Sequence, residues 1–342
     1  MHLPLSRALR HAHRYNYSRF WTHKPIILTH SITSKCNCRC KICDVWRKTN
    51  NGEEMSTDRI LRMLEEAARL NFAAYLVWGG EPFMRPDLMN ILRHARKLGL
   101  YTSLVTNGTF LTEKAKDVAK AVDLTLVSLD HFSHYHSEMR GLDGVFERAK
   151  EGIVELKKAG GRVALNCVMS KLNTDSVKGM CELARALRVK VAFDTMEVFP
   201  GINEEYALSR IERTTIFSEI LKFKNDRYPI LNSHDYIQHV ISPQAYSCAQ
   251  PRVFVVVSEN GIIAPFWCRK NSQPFGDLRE QSLGSILRSD RYRKFMEMVK
   301  ECNLCINSVT AECSLFYSAA RFLGNCFKTH NPIVRFIEDF SL

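Results

Sequence analysis

Three cysteines, Cys36, Cys40 and Cys43, stand in the spacing C-x3-C-x2-C, with Cys38 between the first two. That spacing places three thiolates in one short loop. A [4Fe–4S] cluster that only carries electrons takes four thiolates, so three ligands leave one iron open to a substrate or cofactor. The alternative is a zinc knuckle using all four cysteines. Zinc sites usually come as spaced C-x2-C pairs, and no second pair or histidine partner lies within zinc-ribbon distance. On the cluster reading Cys38 is a non-ligand.

The other residues able to do chemistry are scattered. Gly79-Gly80-Glu81-Pro82, Thr106-Asn107-Gly108 and Ser128-Leu129-Asp130 each follow an apolar run, and Arg140 sits in Met139-Arg140-Gly141. Asn107 and Asn173 could each cap a turn. A second cysteine group, Cys302, Cys305, Cys313 and Cys326, lies near the end, with Cys248 and Cys268 before it. Cys167 and Cys181 fall in strand and helix patterns and read as buried thiols.

The chain has 342 residues, 45% of them hydrophobic, enough for a barrel-sized domain and a smaller module. No window holds the ~18 consecutive apolar residues of a membrane span, and no secretory apolar core is present. A cytosolic protein is therefore expected, and its twelve cysteines are expected to serve metals rather than disulfides. The net charge of +12 suits an anionic partner, whether nucleic acid, lipid or acidic peptide. No basic block or aromatic–basic interleaving matches a nucleic-acid module, so no specific nucleic acid is expected.

The elements that must position these residues are legible as repeats. Apolar runs at 26–33, 74–78, 101–106, 124–129, 162–169 and 190–197 are each followed by turn chemistry and a segment of helical period. Ser56 is an N-cap candidate for the first helix, with Ile60, Leu64 and Ala67 on one face. Six βα units predict a partial (β/α)6 TIM-like barrel, with its chemistry at the C-terminal strand ends. A helical stretch at 204–223 precedes a proline-bearing loop region at 228–250. A hairpin at 253–263 and a helix at 283–299 follow, forming a small C-terminal cysteine-rich α+β extension. The division predicted is 1–25, a basic amphipathic segment; 26–227, the barrel; 228–315, the cysteine-rich extension; and 316–342, an amphipathic tail.

With Ile42 before the last cysteine of the loop, and with Gly79-Gly80-Glu81-Pro82 ending the second strand, the chain resembles the radical S-adenosylmethionine superfamily. The resemblance covers about 25–305. It implies that Cys36, Cys40 and Cys43 hold a [4Fe–4S] cluster whose open iron chelates S-adenosylmethionine. Gly79, Gly80, Glu81 and Pro82 would hold the cofactor's amino group; Ser128 and Asp130 would approach its ribose and methionine moiety. Arg140 would help hold the carboxylate, or serve as a surface salt bridge, and Asn107 also occupies a familiar position. The segment from Cys248 resembles the SPASM and twitch extensions, which carry auxiliary clusters. Cys248, Cys268, Cys302 and Cys305 are the implied ligands of an auxiliary [4Fe–4S] cluster, with Cys313 and Cys326 as alternative ligands and a structural zinc as the bland reading.

The activity implied is reductive cleavage of S-adenosylmethionine to a 5′-deoxyadenosyl radical and hydrogen abstraction from an unactivated C–H bond. The implied partners are a ribosomal peptide or protein substrate and an electron donor such as flavodoxin or ferredoxin. The basic amphipathic ends read either as ordinary helices packing on the barrel or as peripheral membrane contact, in which case a membrane lipid or isoprenoid is the alternative substrate. A non-catalytic iron–sulfur or zinc protein is the reading of a different class. No catalytic acid, base or nucleophile beyond the cluster is assignable, because such reactions rely on the cofactor and a shielded pocket.

Overall fold

The computed structural model describes residues 25–47, 53–265, 268 and 271–317. The basic segment before Pro25, most of the tail after 315, and Cys326 lie outside the described residues.

Six strands, β1 (Ile27–Ser31), β2 (Ala74–Trp78), β3 (Tyr101–Thr106), β4 (Leu124–Ser128), β5 (Val163–Met169) and β6 (Lys190–Thr195), pair in parallel in chain order. The connections carry α1 (Thr57–Arg69), α2 (Leu88–Lys97), α3 (Leu111–Ala121), α4 (Tyr135–Arg140), α5 (Val145–Lys158) and α6 (Val177–Leu187), and α7 (Arg210–Asn225) follows β6. All the strand candidates are present. Ser56 caps α1 by accepting from the Arg59 N–H, and Ile60, Leu64 and Ala67 are buried as expected. The 204–223 stretch divides into a short 3-10 turn and α7, which starts with a Ser209/Glu212 capping box.

Side chains alternate across the strands. Tyr75, Val77, Leu104, Val127, Leu165, Val191 and Phe193 are buried in one core with Ile60, Ile91, Val118 and Ile153 of the helices. Leu76, Trp78, Val105, Leu126, Ser128, Asn166, Val168 and Ala192 alternate with them and stay partly exposed. One face of the sheet is thus packed by helices and the other is a concave, accessible surface, as an open partial barrel requires. β6 pairs with β5 but not with the far end of the sheet.

The C-terminal part extends the same sheet. After α8 (His234–Ile241) and the short α9 (Gln250–Val253), β7 (Phe254–Val257) joins β1 in parallel, with Ile27 opposite Phe254. β8 (Ile262–Ala264) and β9 (Gly276–Asp277) follow antiparallel. The expected hairpin is present, and its turn residue Gly261 has φ +89°, a conformation glycine adopts without a Cβ penalty. Val253 belongs to α9 rather than to the strand. The single helix expected over 283–299 is two, α10 (Leu283–Arg288) and α11 (Asp290–Met298). Ser289 between them is extended, and its hydroxyl accepts from the Tyr292 N–H, so it stops one helix and caps the next. α12 (Cys313–Tyr317) follows a π-helical turn at Ser308–Glu312. No helix among the described residues is long and apolar enough to cross a membrane.

α1 also organises the extension. The Glu66 carboxylate accepts from the Leu283 and Gly284 N–H groups, both at 2.8 Å, supplying partners to orphan amides at the start of α10. Arg59 donates to the Leu278 carbonyl at 3.0 Å. Glu66→Ala should lower stability by about 1–2 kcal/mol, the usual cost of losing such a cap. It should be read as a lower urea midpoint at unchanged slope; an unchanged midpoint would show that water replaces Glu66 without penalty.

Candidate functional site

The cysteine loop follows β1, and between Thr33 and Asp44 it has no helix or strand of its own. Its shape comes from hydrogen bonds to other segments. Beyond β2 the β1–β2 ladder continues irregularly: Ile32 N–H donates to the Trp78 carbonyl at 2.8 Å, Gly80 N–H to Thr33 and Glu81 N–H to Lys35, both at 2.8 Å. A Cβ on Gly80 would lie 2.2 Å from the Lys35 carbonyl oxygen, and one on Gly79, whose φ is +141°, 2.4 Å from that of Thr33. Only glycine lets these two backbones come so close.

From the other side, Arg39 and Lys41 N–H groups donate to the Arg140 and Met139 carbonyls at 2.9 and 3.0 Å. Asn107 at the end of β3 donates to Asn37 Oδ1 at 2.8 Å and approaches Cys38 Sγ at 3.3 Å. Asn203, fully buried beyond β6, donates to the Ile42 carbonyl at 2.8 Å. Sequence reasoning missed Asn203; a lone asparagine in a loop carries no spacing that would have marked it.

Glu81 is fully buried. Its Oε1 accepts from Thr106 Oγ1 at 2.8 Å and from the Phe83 N–H at 3.3 Å, and its Oε2 accepts from the Asn107 N–H at 2.7 Å. Burial pushes its carboxyl up to about 7 despite these donors. Glu81 therefore fixes the turn at Thr106 and Asn107 against the cysteine loop.

Asp130 and Arg140 meet in an ion pair of 2.6 Å, with Asp130 almost completely buried. Asp130 also accepts from the Val168 N–H at 3.0 Å, while its own N–H donates to His136 Nδ1 and its carbonyl accepts from Asn173 Nδ2 at 2.7 Å. Arg140 reaches 3.9 Å from Cys40 Sγ. The Cys38 thiol lies against the Cys36 and Cys40 sulfurs, and hydrogen bonding among them pushes it far up. The same contact, helped by the Arg140 charge, draws Cys40 down to about 6. Burial pushes Cys43 up to about 11. Ser128 lies on the concave face two residues before Asp130, partly exposed.

In the extension, Cys248, Cys268, Cys302 and Cys305 come close enough for their charges to act on one another, and Cys248 N–H donates to the Cys302 carbonyl at 3.0 Å. Cys313 points elsewhere: it packs with Ala249, Val253 and Phe254, and the charges acting on it are those of Glu312 and Asp194. Tyr246 donates to the Cys305 carbonyl at 2.9 Å and, with His239, walls this cysteine group. Cys167 and Cys181 are fully buried.

Comparison with known proteins bears on this geometry. Residues 30–184 match the Radical SAM superfamily and residues 248–307 match SPASM, an iron–sulfur cluster-binding domain. The chain carries a radical SAM domain followed by a SPASM domain. It is 32% identical over 170 residues to an AdoMet-dependent heme synthase of Methanosarcina barkeri, covering 48% of this chain and 49% of that protein. It is 33% identical over 175 residues to a PqqA peptide cyclase of Ruegeria pomeroyi, covering 49% and 47%. The chain thus spans about half the length of these two relatives. A PqqA peptide cyclase of Granulibacter bethesdensis aligns at 25% identity over 297 residues, 82% of this chain and 79% of that protein. The fold is that of Streptococcus suis SuiB bound to S-adenosylmethionine, with a TM-score of 0.69 at 15% identity over 85% of this chain and 76% of that one. SuiB bound to the precursor peptide SuiA superposes with a TM-score of 0.66 at 15% identity, covering 85% and 74%.

These domains imply S-adenosylmethionine, a [4Fe–4S] cluster and auxiliary cluster chemistry, and the residues present fit them. Cys36, Cys38, Cys40 and Cys43 gather beside Leu142 and Val145 in one nook. Among the described residues no three Cys, His, Asp or Glu side chains converge tightly enough to hold a single metal ion. The buried Arg140 Nε has no hydrogen-bond partner among the described residues, a donor left over on a side chain whose Nη1 lies 3.9 Å from Cys40 Sγ. Replacing Asp130 with Asn should leave Arg140 buried without its counter-charge, at a cost of about 3–5 kcal/mol. Urea unfolding of the cluster-free protein measures this, and a loss below about 1 kcal/mol would mark the pair as solvated, as surface pairs are.

Proposed function

We propose that this chain is a radical S-adenosylmethionine enzyme that abstracts hydrogen from an unactivated C–H bond of a ribosomally made peptide or protein. One observation carries the reading: the three-cysteine loop, the Gly79–Pro82 turn and the Asp130–Arg140 pair converge at the C-terminal strand ends of an open barrel. When bound, the cluster and S-adenosylmethionine supply a one-electron cleavage that yields a 5′-deoxyadenosyl radical.

The chain's own residues prepare that event. Cys36, Cys40 and Cys43 serve as ligands, and Arg140 places a positive charge beside Cys40. Glu81 spends its carboxylate on Thr106 and Asn107, and its N–H and that of Gly80 go to Lys35 and Thr33. A contact of the Gly79–Pro82 turn with the cofactor would therefore come through its carbonyl groups. Ser128 and Asp130, at the end of β4, would approach the cofactor's ribose and methionine moiety. The concave face is mostly apolar, with Leu76, Val105, Leu126 and Val168 partly exposed along it. Asp194, at the end of β6, is tied up by Ser308 and Tyr236. A surface poor in free acids and bases suits radical chemistry, in which the protein shields rather than transfers protons.

Peptide substrates are favoured because one PqqA peptide cyclase alignment extends over 82% of this chain, whereas the heme synthase alignment, like that of the second PqqA peptide cyclase, covers about half of it. The lipid reading draws on terminal segments that lie outside the described residues. The auxiliary ligands proposed are Cys248, Cys268, Cys302 and Cys305, the group brought together beside Tyr246.

Replacing Cys36, Cys40 and Cys43 together with Ala should abolish 5′-deoxyadenosine formation by the anaerobically reconstituted protein with dithionite, while Cys38→Ala leaves it largely intact. Persistent product in the triple variant would end this reading. A second measurement is iron content. Wild type should hold about eight irons for two cubanes, and the variant lacking Cys248, Cys268, Cys302 and Cys305 about half that. Stoichiometric zinc beside one cubane would assign the extension to a structural metal.

A further inference from the structure

Past β6, one short segment touches both cysteine groups. Asp194 accepts from the Ser308 N–H at 2.9 Å and from its hydroxyl at 2.6 Å, and the Glu197 carboxylate accepts from Asn307 Nδ2 at 3.2 Å. Asn307 and Ser308 come directly after Cys305 and Ile306, and the Glu197 charge acts on the Cys305 thiol. The other end of the segment meets the cysteine loop. Asn203 Nδ2 donates to the Ile42 carbonyl at 2.8 Å and to the Glu197 carbonyl at 3.0 Å, and Asn203 Oδ1 accepts from the Phe199 N–H at 2.8 Å. Ile42 immediately precedes Cys43.

Three hydrogen bonds therefore join Asn307 to Ile42 by way of Glu197 and Asn203, and none exceeds 3.2 Å. Asn203 is fully buried, so its amide has no solvent to turn to when a partner moves. The auxiliary end of this path has no regular structure of its own, since residues 302–306 are in neither helix nor strand. They are held at Cys305, whose carbonyl accepts from Tyr246 at 2.9 Å and from His239 Nε2 at 3.4 Å. His239 Nδ1 accepts from the Gln244 N–H, which leaves Nε2 as the donor. A cluster bound by Cys302 and Cys305 would fix the same stretch through its sulfurs, because metal binding and local folding are coupled.

We propose that Glu197 and Asn203 are positioning residues that carry the state of the auxiliary site to the cysteine loop. With Cys248, Cys268, Cys302 and Cys305 joined by a cluster, Asn307 holds Glu197, Asn203 holds Ile42, and Cys43 stands where S-adenosylmethionine binds best. This coupling rests on the radical S-adenosylmethionine reading and adds a dependence of one cysteine site on the other. Cys43 is one of the three sulfurs that aim the open iron, so a displacement of Ile42 is read as weaker binding of the cofactor, although neither Glu197 nor Asn203 need touch it. Couplings between distinct sites commonly change affinity by about 5- to 150-fold.

The test measures S-adenosylmethionine affinity of the full-length, anaerobically reconstituted protein by equilibrium dialysis without reductant, beside its iron content. Glu197→Ala and Asn307→Ser, the second retaining an oxygen for the Thr310 N–H, should each keep about eight irons yet bind the cofactor about five-fold or more weakly. Glu197→Gln, which keeps an acceptor for Asn307, should recover most of that loss. The variant lacking Cys248, Cys268, Cys302 and Cys305 should show a similar weakening, and adding Glu197→Ala to it should cost nothing further, since a path already cut cannot be cut again. Unchanged affinity in Glu197→Ala and Asn307→Ser would overturn the proposal. So would losses that multiply when Glu197→Ala is added to the cysteine variant, or iron loss from Glu197→Ala itself, which would make the segment a general scaffold. If the cysteine variant does not fold, the two single variants decide. A wild type that holds its irons but binds no S-adenosylmethionine would instead remove the radical reading beneath it.

Discussion

The cysteine loop has to hold several sulfurs in a fixed arrangement without any helix or strand to do so, and the rest of the structure answers to that constraint. A loop of this length would otherwise sample many backbone states, at roughly 1–2 kcal/mol of entropy per residue ordered. Main-chain hydrogen bonds from the ends of β2 and α4, and side-chain bonds from Asn107 at the end of β3 and from one buried asparagine beyond β6, remove that freedom. Each comes from a different βα unit, so the loop is ordered only when the sheet is assembled. Gly79 and Gly80 are required because they lie against backbone, where any Cβ would collide with a carbonyl oxygen.

Charge is managed by the same architecture. Asp130 and Arg140 are removed from water together, each with further partners, which is the condition under which a buried pair is tolerated. Arg140 then reaches Cys40, so the charge buried for packing reasons also lowers the cost of a thiolate in a nook otherwise lined by Leu142 and Val145. Cys38 lies between the Cys36 and Cys40 sulfurs.

The C-terminal extension is not a separate bead on the chain. β7 hydrogen-bonds to β1, the strand that leads into the cysteine loop, and Glu66 of α1 supplies partners for the first amides of α10. The same sheet therefore carries both cysteine groups, and mechanical disturbance of one has a short route to the other. Asp194, Ser308 and Tyr236 close the opposite end, where β6 meets the π-helical turn.

By itself the sequence determined the strand candidates, the βα repeat and the ligand spacing, because apolar alternation and C-x3-C-x2-C are local patterns that survive without a fold. Gly79-Gly80-Glu81-Pro82 was legible through its family resemblance at the end of the second strand; as a bare turn it is common. The tertiary structure decided what depends on distant segments. It paired Asp130 with Arg140, turned Glu81 toward Thr106 and Asn107, and recruited Asn203. It also separated Cys313 from Cys248, Cys302 and Cys305, although all four stand in one cysteine-rich stretch of sequence. The break at Ser289 escaped the helical pattern for a related reason. Apolar periodicity records which face is buried and is blind to a serine whose hydroxyl, once the backbone turns extended, caps the helix that follows.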